Sequence, residues 1–400
     1  MPQKNKYFDW LIHPIAKETF LSNYFEKEVL HIKQDKSRTS SYYNQLLTRN
    51  VFDLFLNEQN VKYPDVQLVG TSIDFKHREY LHPDNSINLP KLYKFYAEGA
   101  TINVVGLNNY LMSLGELCDH LTKETSHRYQ TNIYCTPKEK QGFNTHYDSH
   151  DVIVLQIHGS KEWEIYDNPV ELPLKGPQNF TPEMDLTPTL KQNITLKEGE
   201  LLYIPRGVMH NAKTTDTSSI HITLGLMGTS MFKLVSNSIA NAATNNVEFR
   251  KYLPFGYIND KQLKDEIIQS YKKLIGQLEN DIDLNTIIND MEDEVIKQVP
   301  SKLVGQLELI DGLNENKIDY YNSTFSLRKN ILIKYEVVDE ELIIKANGLE
   351  HSFPDYVYNT FHIMYTKDRF NFKELETDLD DEGKEVLLEH LITEGLVFTL

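Results

Sequence analysis

Two short segments restrict this chain more than anything else in it: Thr145-His146-Tyr147-Asp148, and the later run from Gly199 to His210, GELLYIPRGVMH. In an extended strand successive side chains alternate faces, so His146 and Asp148 point the same way and Tyr147 the other. His210 completes a set of three. Two imidazoles and one carboxylate on one side of a divalent metal leave positions open for a co-substrate and dioxygen, which suits a non-haem Fe(II) oxygenase. H-x-D alone is a weak pattern, and the second segment gives it weight. There Glu198-Gly199 is a turn signal, Leu201 to Ile204 an apolar strand, and Pro205-Arg206-Gly207 a second turn, so that His210 opens the next strand.

Lys161 is the third element, fifteen positions beyond His146 in G-S-K-E-W, after the apolar run Val152 to Ile157 and a turn at Gly159-Ser160. Read alone, a lysine near a turn is a solvated surface residue. A buried cation opposite a metal is also what the far carboxylate of a dicarboxylate co-substrate requires, because an unpaired buried charge is costly.

The spacing G-x5-P-x-G-x2-H of Gly199, Pro205, Gly207 and His210 resembles the second motif of the cupin superfamily. Together with H-x-D and Lys161 it resembles the JmjC-type 2-oxoglutarate oxygenases of the cupin-4 group, the ribosomal oxygenases. The resemblance implies His146, Asp148 and His210 as the iron ligands, and Lys161 as the anchor of the 2-oxoglutarate carboxylate. It also implies Asn132 and Tyr134, the family's N-x-Y, facing the co-substrate, and Thr223 as a strand hydroxyl on the same carboxylate. Thr223 has a plainer alternative as a β-branched strand residue with no ligand role. His150, Asp151 and His158 are competitors for the metal, and His150 has the right parity. The family pattern places His150 just after the ligand pair, on the substrate side. His221 reads as an inward strand side chain near Thr223.

The rest of the chain is read around that core. The resemblance implies a mainly β fold with α additions: a JmjC/cupin catalytic domain over residues 1–228, with an N-terminal helical-strand entry segment and a double-stranded β-helix (cupin/jelly-roll) core from about His127 to Leu226, a helical dimerisation domain over 229–315, and a winged-helix-like domain over 316–400. Helical spacing covers Tyr42 to Leu56, with Leu46, Leu47, Val51, Phe52 and Phe55 inward. Asp65 to Phe75 reads as a strand pair. Pro169 to Asn193, rich in Pro, Thr and Asn, reads as an insertion near the mouth of the site. Leu263, Ile267, Ile268, Tyr271, Leu274, Ile275 and Leu278 form apolar stripes beyond Thr229. A homodimer is the expectation there, with packing on the chain's own barrel as the alternative. Asp378, Asp380, Asp381, Glu382 and Glu385 make the would-be recognition region of the winged helix acidic, which speaks against DNA.

A formal charge of −17 disfavours a nucleic-acid backbone and fits a basic polypeptide. Cys118 and Cys135 are too few for a disulfide framework, and neither a leader nor a membrane span is evident, so a cytoplasmic, reducing location is expected. G-x-S-x-G, Walker and G-x-G-x-x-G motifs are missing. The expected function is Fe(II)- and 2-oxoglutarate-dependent hydroxylation of a protein or peptide side chain, with dioxygen as the other co-substrate. Hydroxylation of a free amino acid or small natural-product precursor is one alternative, and a non-catalytic metal-binding barrel is another. Histone demethylation is disfavoured, because the additions resemble the hydroxylase branch.

Overall fold

The apolar run Val152 to Ile157 is buried on both faces because it lies on an interior strand of a seven-stranded antiparallel sheet covered on both sides. The computed structural model describes residues 6–71, 73–182, 184–299, 302–329, 331–375 and 378–400. Its contacts separate two units, one ending at Gly228 and one running from Thr229 to Leu400.

In the first unit the strands are β1 (Leu30–Ile32), β2 (Val66–Val69), β3 (Thr101–Val105), β4 (Arg128–Thr136), β5 (Asp151–His158), β6 (Ser160–Tyr166), β7 (Leu190–Lys197), β8 (Leu201–Ile204), β9 (His210–Thr214) and β10 (Ser219–Met227). The large sheet runs β1-β8-β5-β10-β4-β3-β2, and β7-β6-β9 form a second sheet. Alternation sorts the side chains. Val152, Val154, Leu202 and Ile204 join Trp163, Ile165, Ile194 and Leu196 in a core between the sheets. Ile153, Leu155, Leu201, Tyr203, Ile222 and Leu224 join an outer core built with the N-terminal helices. These helices are α1 (Tyr7–Ile12), α2 (Lys17–Asn23), α3 (Arg49–Glu58), α4 (Leu89–Glu98) and α5 (Met112–Thr125). Two antiparallel sheets packed face to face are the jelly-roll expected of the family.

Local details differ from the expectations. The helix read from Tyr42 starts only at Arg49, where the Thr48 hydroxyl accepts from the Val51 amide at 3.2 Å, a cap worth about 1 kcal/mol. Starting there turns Phe52, Phe55 and Leu56 inward and leaves Val51 exposed, while Leu46 and Leu47 are buried from the preceding turns. Of the pair read over Asp65 to Phe75, only Val66–Val69 is a strand. It adds to β3, and the described residues after it are irregular. The 169–193 segment has no regular structure until β7 begins at Leu190.

The second unit opens with helices α6 (Met231–Asn245), α7 (Lys261–Asp281), α8 (Leu284–Gln298) and α9 (Gln306–Asn314). The long stretch after Asp260 is broken into two helices where Asp283 caps α8 through the Asn285 amide at 3.0 Å. There follow β11 (Thr324–Leu327), β12 (Lys334–Val338), β13 (Glu341–Ala346), β14 (Leu349–Pro354), α10 (Tyr358–Thr366), β15 (Phe370–Asn371), α11 (Asp381–Thr393) and β16 (Val397–Thr399). They form two three-stranded sheets, β15-β11-β16 and β12-β13-β14, around a separate core that includes Phe325, Phe361, Phe370 and Leu388. Among the described residues no helix is long and apolar enough to cross a membrane.

Candidate metal centre

The H-Y-D tripeptide does not sit in a continuous strand, as the alternation argument assumed. It lies in the irregular segment between β4 and β5, held by two isolated bridges, Gln141 to Lys213 and His146 to His210. Alternation survives because the segment is extended there. His146 and Asp148 face the gap between the sheets, while Tyr147 is buried on the opposite side and donates its hydroxyl to the Gln178 carbonyl at 3.0 Å. The 169–193 segment thus packs behind the tripeptide, and Phe180 also reaches His146, with ring centroids 6.3 Å apart.

Three further ties hold this geometry. Asn211 points outward from β9 and donates to the Thr145 hydroxyl at 2.9 Å and to Glu164 at 2.8 Å. The Asp151 carboxylate accepts from the Arg206 amide at 2.9 Å and the Tyr203 hydroxyl at 2.8 Å, fastening the start of β5 to the turn that delivers His210. Gly207 donates its amide to the Asp148 carbonyl at 3.0 Å from a φ of +87° that L side chains rarely adopt.

One donor atom from each of His146, Asp148 and His210 lies within 4.8 Å of the others, and His210 Nε2 is 3.7 Å from Asp148 Oδ2. Each imidazole has its Nδ1 against a backbone carbonyl, His146 on Asn144 at 2.8 Å and His210 on Val208 at 3.0 Å. A carbonyl can only accept, so both Nδ1 atoms carry the proton and both Nε2 lone pairs are free to bind. Burial, reinforced by neighbouring His146, pushes the His210 imidazole down to about 4, which keeps it neutral at physiological pH. Two imidazoles with a carboxylate fit a divalent iron-type ion. His158 and Asp151 do not join them: His158 faces Glu198 at 3.2 Å, and Asp151 is committed to Tyr203 and Arg206. His150 is likewise outside the cluster.

Lys161 is 4% exposed, and no carboxylate pairs with it among the described residues. Burial drives its ammonium down to about 7. It shares the inward face of β6 with Trp163 and Ile165, and Ile165 pairs with His210 across to β9. Four residues of strand separate Lys161 from that pair, about 13 Å along the backbone. A short diacid together with the lysine side chain spans such a gap.

The opposite wall is polar. In register across the large sheet stand Asn103, Tyr134, His221 and Gln156, side by side on one face. Tyr134 stacks on His221 at 5.0 Å, and Trp163 crosses from the other sheet to within 5.7 Å of His221 and 5.9 Å of His210. Burial raises the Tyr134 phenol and lowers the His221 imidazole, the latter also because Lys161 is near, so both are neutral hydrogen-bonding groups. Asn103 Oδ1, Gln156 Oε1, His221 Nδ1 and Trp163 Nε1 are buried with no partner among the described residues. Buried polar atoms are normally paired, so this row is built for a polar guest. Asn132 and Thr223 form the next cross-strand pair on the same face, with Asn132 Oδ1 accepting from the Gly106 amide at 3.1 Å. Sequence reasoning missed Asn103, Gln156 and Trp163. Trp163 was detectable, two positions from Lys161 on one strand, whereas Asn103 and Gln156 reach the row only through strand pairing.

Residues 109–234 match the family model of the JmjC domain. The chain is 30% identical over 335 residues to a bifunctional lysine-specific demethylase and histidyl-hydroxylase NO66 of Aedes aegypti, an alignment covering 80% of this chain and 51% of that protein. It is 31% identical over 283 residues to a protein of the same description from Dictyostelium discoideum, 67% of this chain and 54% of that one. With ribosomal oxygenase 1 of Danio rerio the figures are 30% over 263 residues, 64% and 47%. The chain therefore spans about half the length of these curated relatives. Among solved structures Escherichia coli YcfD aligns with a TM-score of 0.53 at 14% identity, covering 96% of this chain and 98% of that one. A structure of that ribosomal oxygenase with cobalt and 2-oxoglutarate aligns with a TM-score of 0.50 over the same shares. At this identity the likeness bears on the fold. With the JmjC match over the barrel, the NO66-type relatives and the shared architecture, the chain belongs to the JmjC ribosomal oxygenase group.

Proposed function

We propose that the chain is an Fe(II)- and 2-oxoglutarate-dependent hydroxylase acting on a protein side chain. The observation that carries this reading is that the barrel interior brings together a two-histidine, one-carboxylate set while it also holds a buried ammonium with no counter-charge among the described residues. A non-catalytic metal barrel has no need of the second feature. His146, Asp148 and His210 would hold the iron, which supplies activation of dioxygen and of an unreactive C–H bond. Lys161 would pair with the far carboxylate of 2-oxoglutarate, and Tyr134 would donate to it as a neutral phenol. Asn132 and Thr223 lie one register step away and would complete that wall. Trp163, Ile165 and Val154 exclude water around the reacting centre.

The NO66 relatives are described as histidyl-hydroxylases and the YcfD neighbour as a ribosomal oxygenase, so a histidine in a ribosomal protein is the first substrate to try. The 169–193 segment behind the tripeptide, and the charge of −17, favour a basic chain over a free amino acid. Exposed Met231, Phe232, Val235 and Ile239 on α6, and Ile268, Tyr271 and Ile275 on α7, support a homodimer through the helical segment. The acidic run around Asp380 supports a protein-contact role, without nucleic acid, for a winged-helix-like C-terminal part. The two buried cysteines, neither in a disulfide, are compatible with a cytoplasmic site.

The test is succinate formation from 2-oxoglutarate by the purified chain with Fe(II) and ascorbate, with and without basic ribosomal-protein peptides, and His210→Ala as control. Succinate lost in the control, with a peptide gaining one oxygen, is the expected result. Absence of both 2-oxoglutarate binding and turnover would return the barrel to a binding role. Loss of a methyl group from a methylated peptide, with no stable hydroxylation of any, would replace hydroxylation by demethylation.

A further inference from the structure

Histidines gather at a second place, in the C-terminal unit. His351 lies on β14, opposite Ile344 of β13, and alternation turns it inward with Phe353. His390 lies in the last turn of α11, and Glu394 follows one turn later as the residue that ends the helix. Residues four apart in a helix share a face, so the imidazole and the carboxylate stand together above the strand. One donor atom from each of His351, His390 and Glu394 lies within 4.8 Å of the others. The imidazole rings are 5.5 Å apart and nearly perpendicular at 85°, with Phe353 packed edge-on to His390 at 5.1 Å.

A second observation points to a ligand. His351 is 8% exposed, and its Nε2 is buried with no hydrogen-bond partner among the described residues. A buried imidazole nitrogen without a partner is an exception in folded proteins and calls for an occupant. No lysine or arginine among the described residues pairs with the Glu394 carboxylate. The group also lies at the carbonyl end of α11, where the helix dipole favours positive charge.

We infer that His351, His390 and Glu394 form a second metal site, separate from the barrel, for a zinc-class divalent ion. Two nitrogens and one carboxylate oxygen suit Zn2+ with water in the fourth position. The exposed His390 provides the entry path, and the ion ties β14 to the end of α11. Its role is to staple the unit. It stands independently of the proposed hydroxylase.

The test uses the full-length chain in a His210→Ala background, which removes the barrel site from the count. After equilibrium dialysis against micromolar Zn2+, that protein should retain one zinc ion per chain and melt at a higher temperature than without zinc. Adding His390→Ala, at an exposed helix position, should abolish both the retained ion and the thermal shift. Glu394→Gln should weaken retention at least tenfold with secondary structure unchanged. Cobalt substitution should give the visible spectrum of a four-coordinate nitrogen and oxygen site. Equal zinc retention with and without His390, or no retention in the His210→Ala chain, would overturn the assignment and leave the three side chains as packing partners.

Discussion

His146 and His210 exchange both of their backbone hydrogen bonds, at 3.1 Å from the His146 amide to the His210 carbonyl and 2.8 Å in return. Such a pair sends both side chains to one face, so the main chain sets the convergence of the two imidazoles before any metal binds. Alanine at His146 or Asp148 removes a donor and leaves that pairing intact. The expected outcome is loss of succinate formation with an unchanged circular dichroism spectrum. Unfolding of both variants would instead make the metal structural.

Gly207 sits between the two halves of the site. Its φ is +87°, and a Cβ there would stand 2.1 Å from the Val170 carbonyl oxygen. Gly207→Ala should destabilise the barrel by more than about 1–2 kcal/mol, since the backbone penalty alone is of that size. It should also weaken iron binding, because the turn that aims His210 must shift. Denaturant unfolding and an Fe(II) titration check the two effects.

Lys161 carries a pH signature with a definite sign. Its ammonium sits at about 7 in the folded chain, below its ordinary value of 10.5. Between those pH values the unfolded state binds more protons, so this group makes stability rise with pH across the window; the full burial cost applies below it. Lys161→Met should therefore stabilise the co-substrate-free protein near pH 7 by roughly a few kcal/mol and make no difference above about pH 10.5. The same variant should lose at least about a hundredfold in 2-oxoglutarate affinity, the scale for removing one partner of a buried charge pair.

A companion measurement is proton uptake. If a carboxylate of 2-oxoglutarate meets Lys161, binding at pH 8 should draw a proton onto the amine. Calorimetry in buffers of different ionisation enthalpy reads that proton directly. Binding with no uptake in the parent chain would show that Lys161 does not contact the co-substrate.

Tyr147→Phe tests the segment behind the tripeptide. Removing the hydroxyl frees the Gln178 carbonyl at a cost of about 1 kcal/mol. Peptide KM should rise by several-fold while substrate-free conversion of 2-oxoglutarate stays near the parent level. Equal loss in both would mean that the segment supports the metal site as a whole.

Much of this site was legible in one dimension because its chemistry is carried by local patterns. The glycines and proline of the 199–210 run mark turns whichever fold encloses them, and H-x-D needs only an extended backbone. Lys161 was singled out by its distance from His146, and its burial is what makes that distance meaningful. The start of α3 was misplaced because Tyr43, Leu46 and Leu47 are buried from turns with the same spacing of large apolar groups that marks a helix.

The sequence by itself determined the donor types, the turns that deliver them, and the alternation that divides inner from outer core. Tertiary structure alone decided which polar groups meet. Asn103, Tyr134, His221 and Gln156 come from four strands far apart in the chain, and they stand in one row only because antiparallel register aligns them. His351 meets His390 and Glu394 in the same way, by the packing of a strand on a helix. Register and packing are set by the sum of all burial in a sheet, and no local stretch of residues encodes that sum.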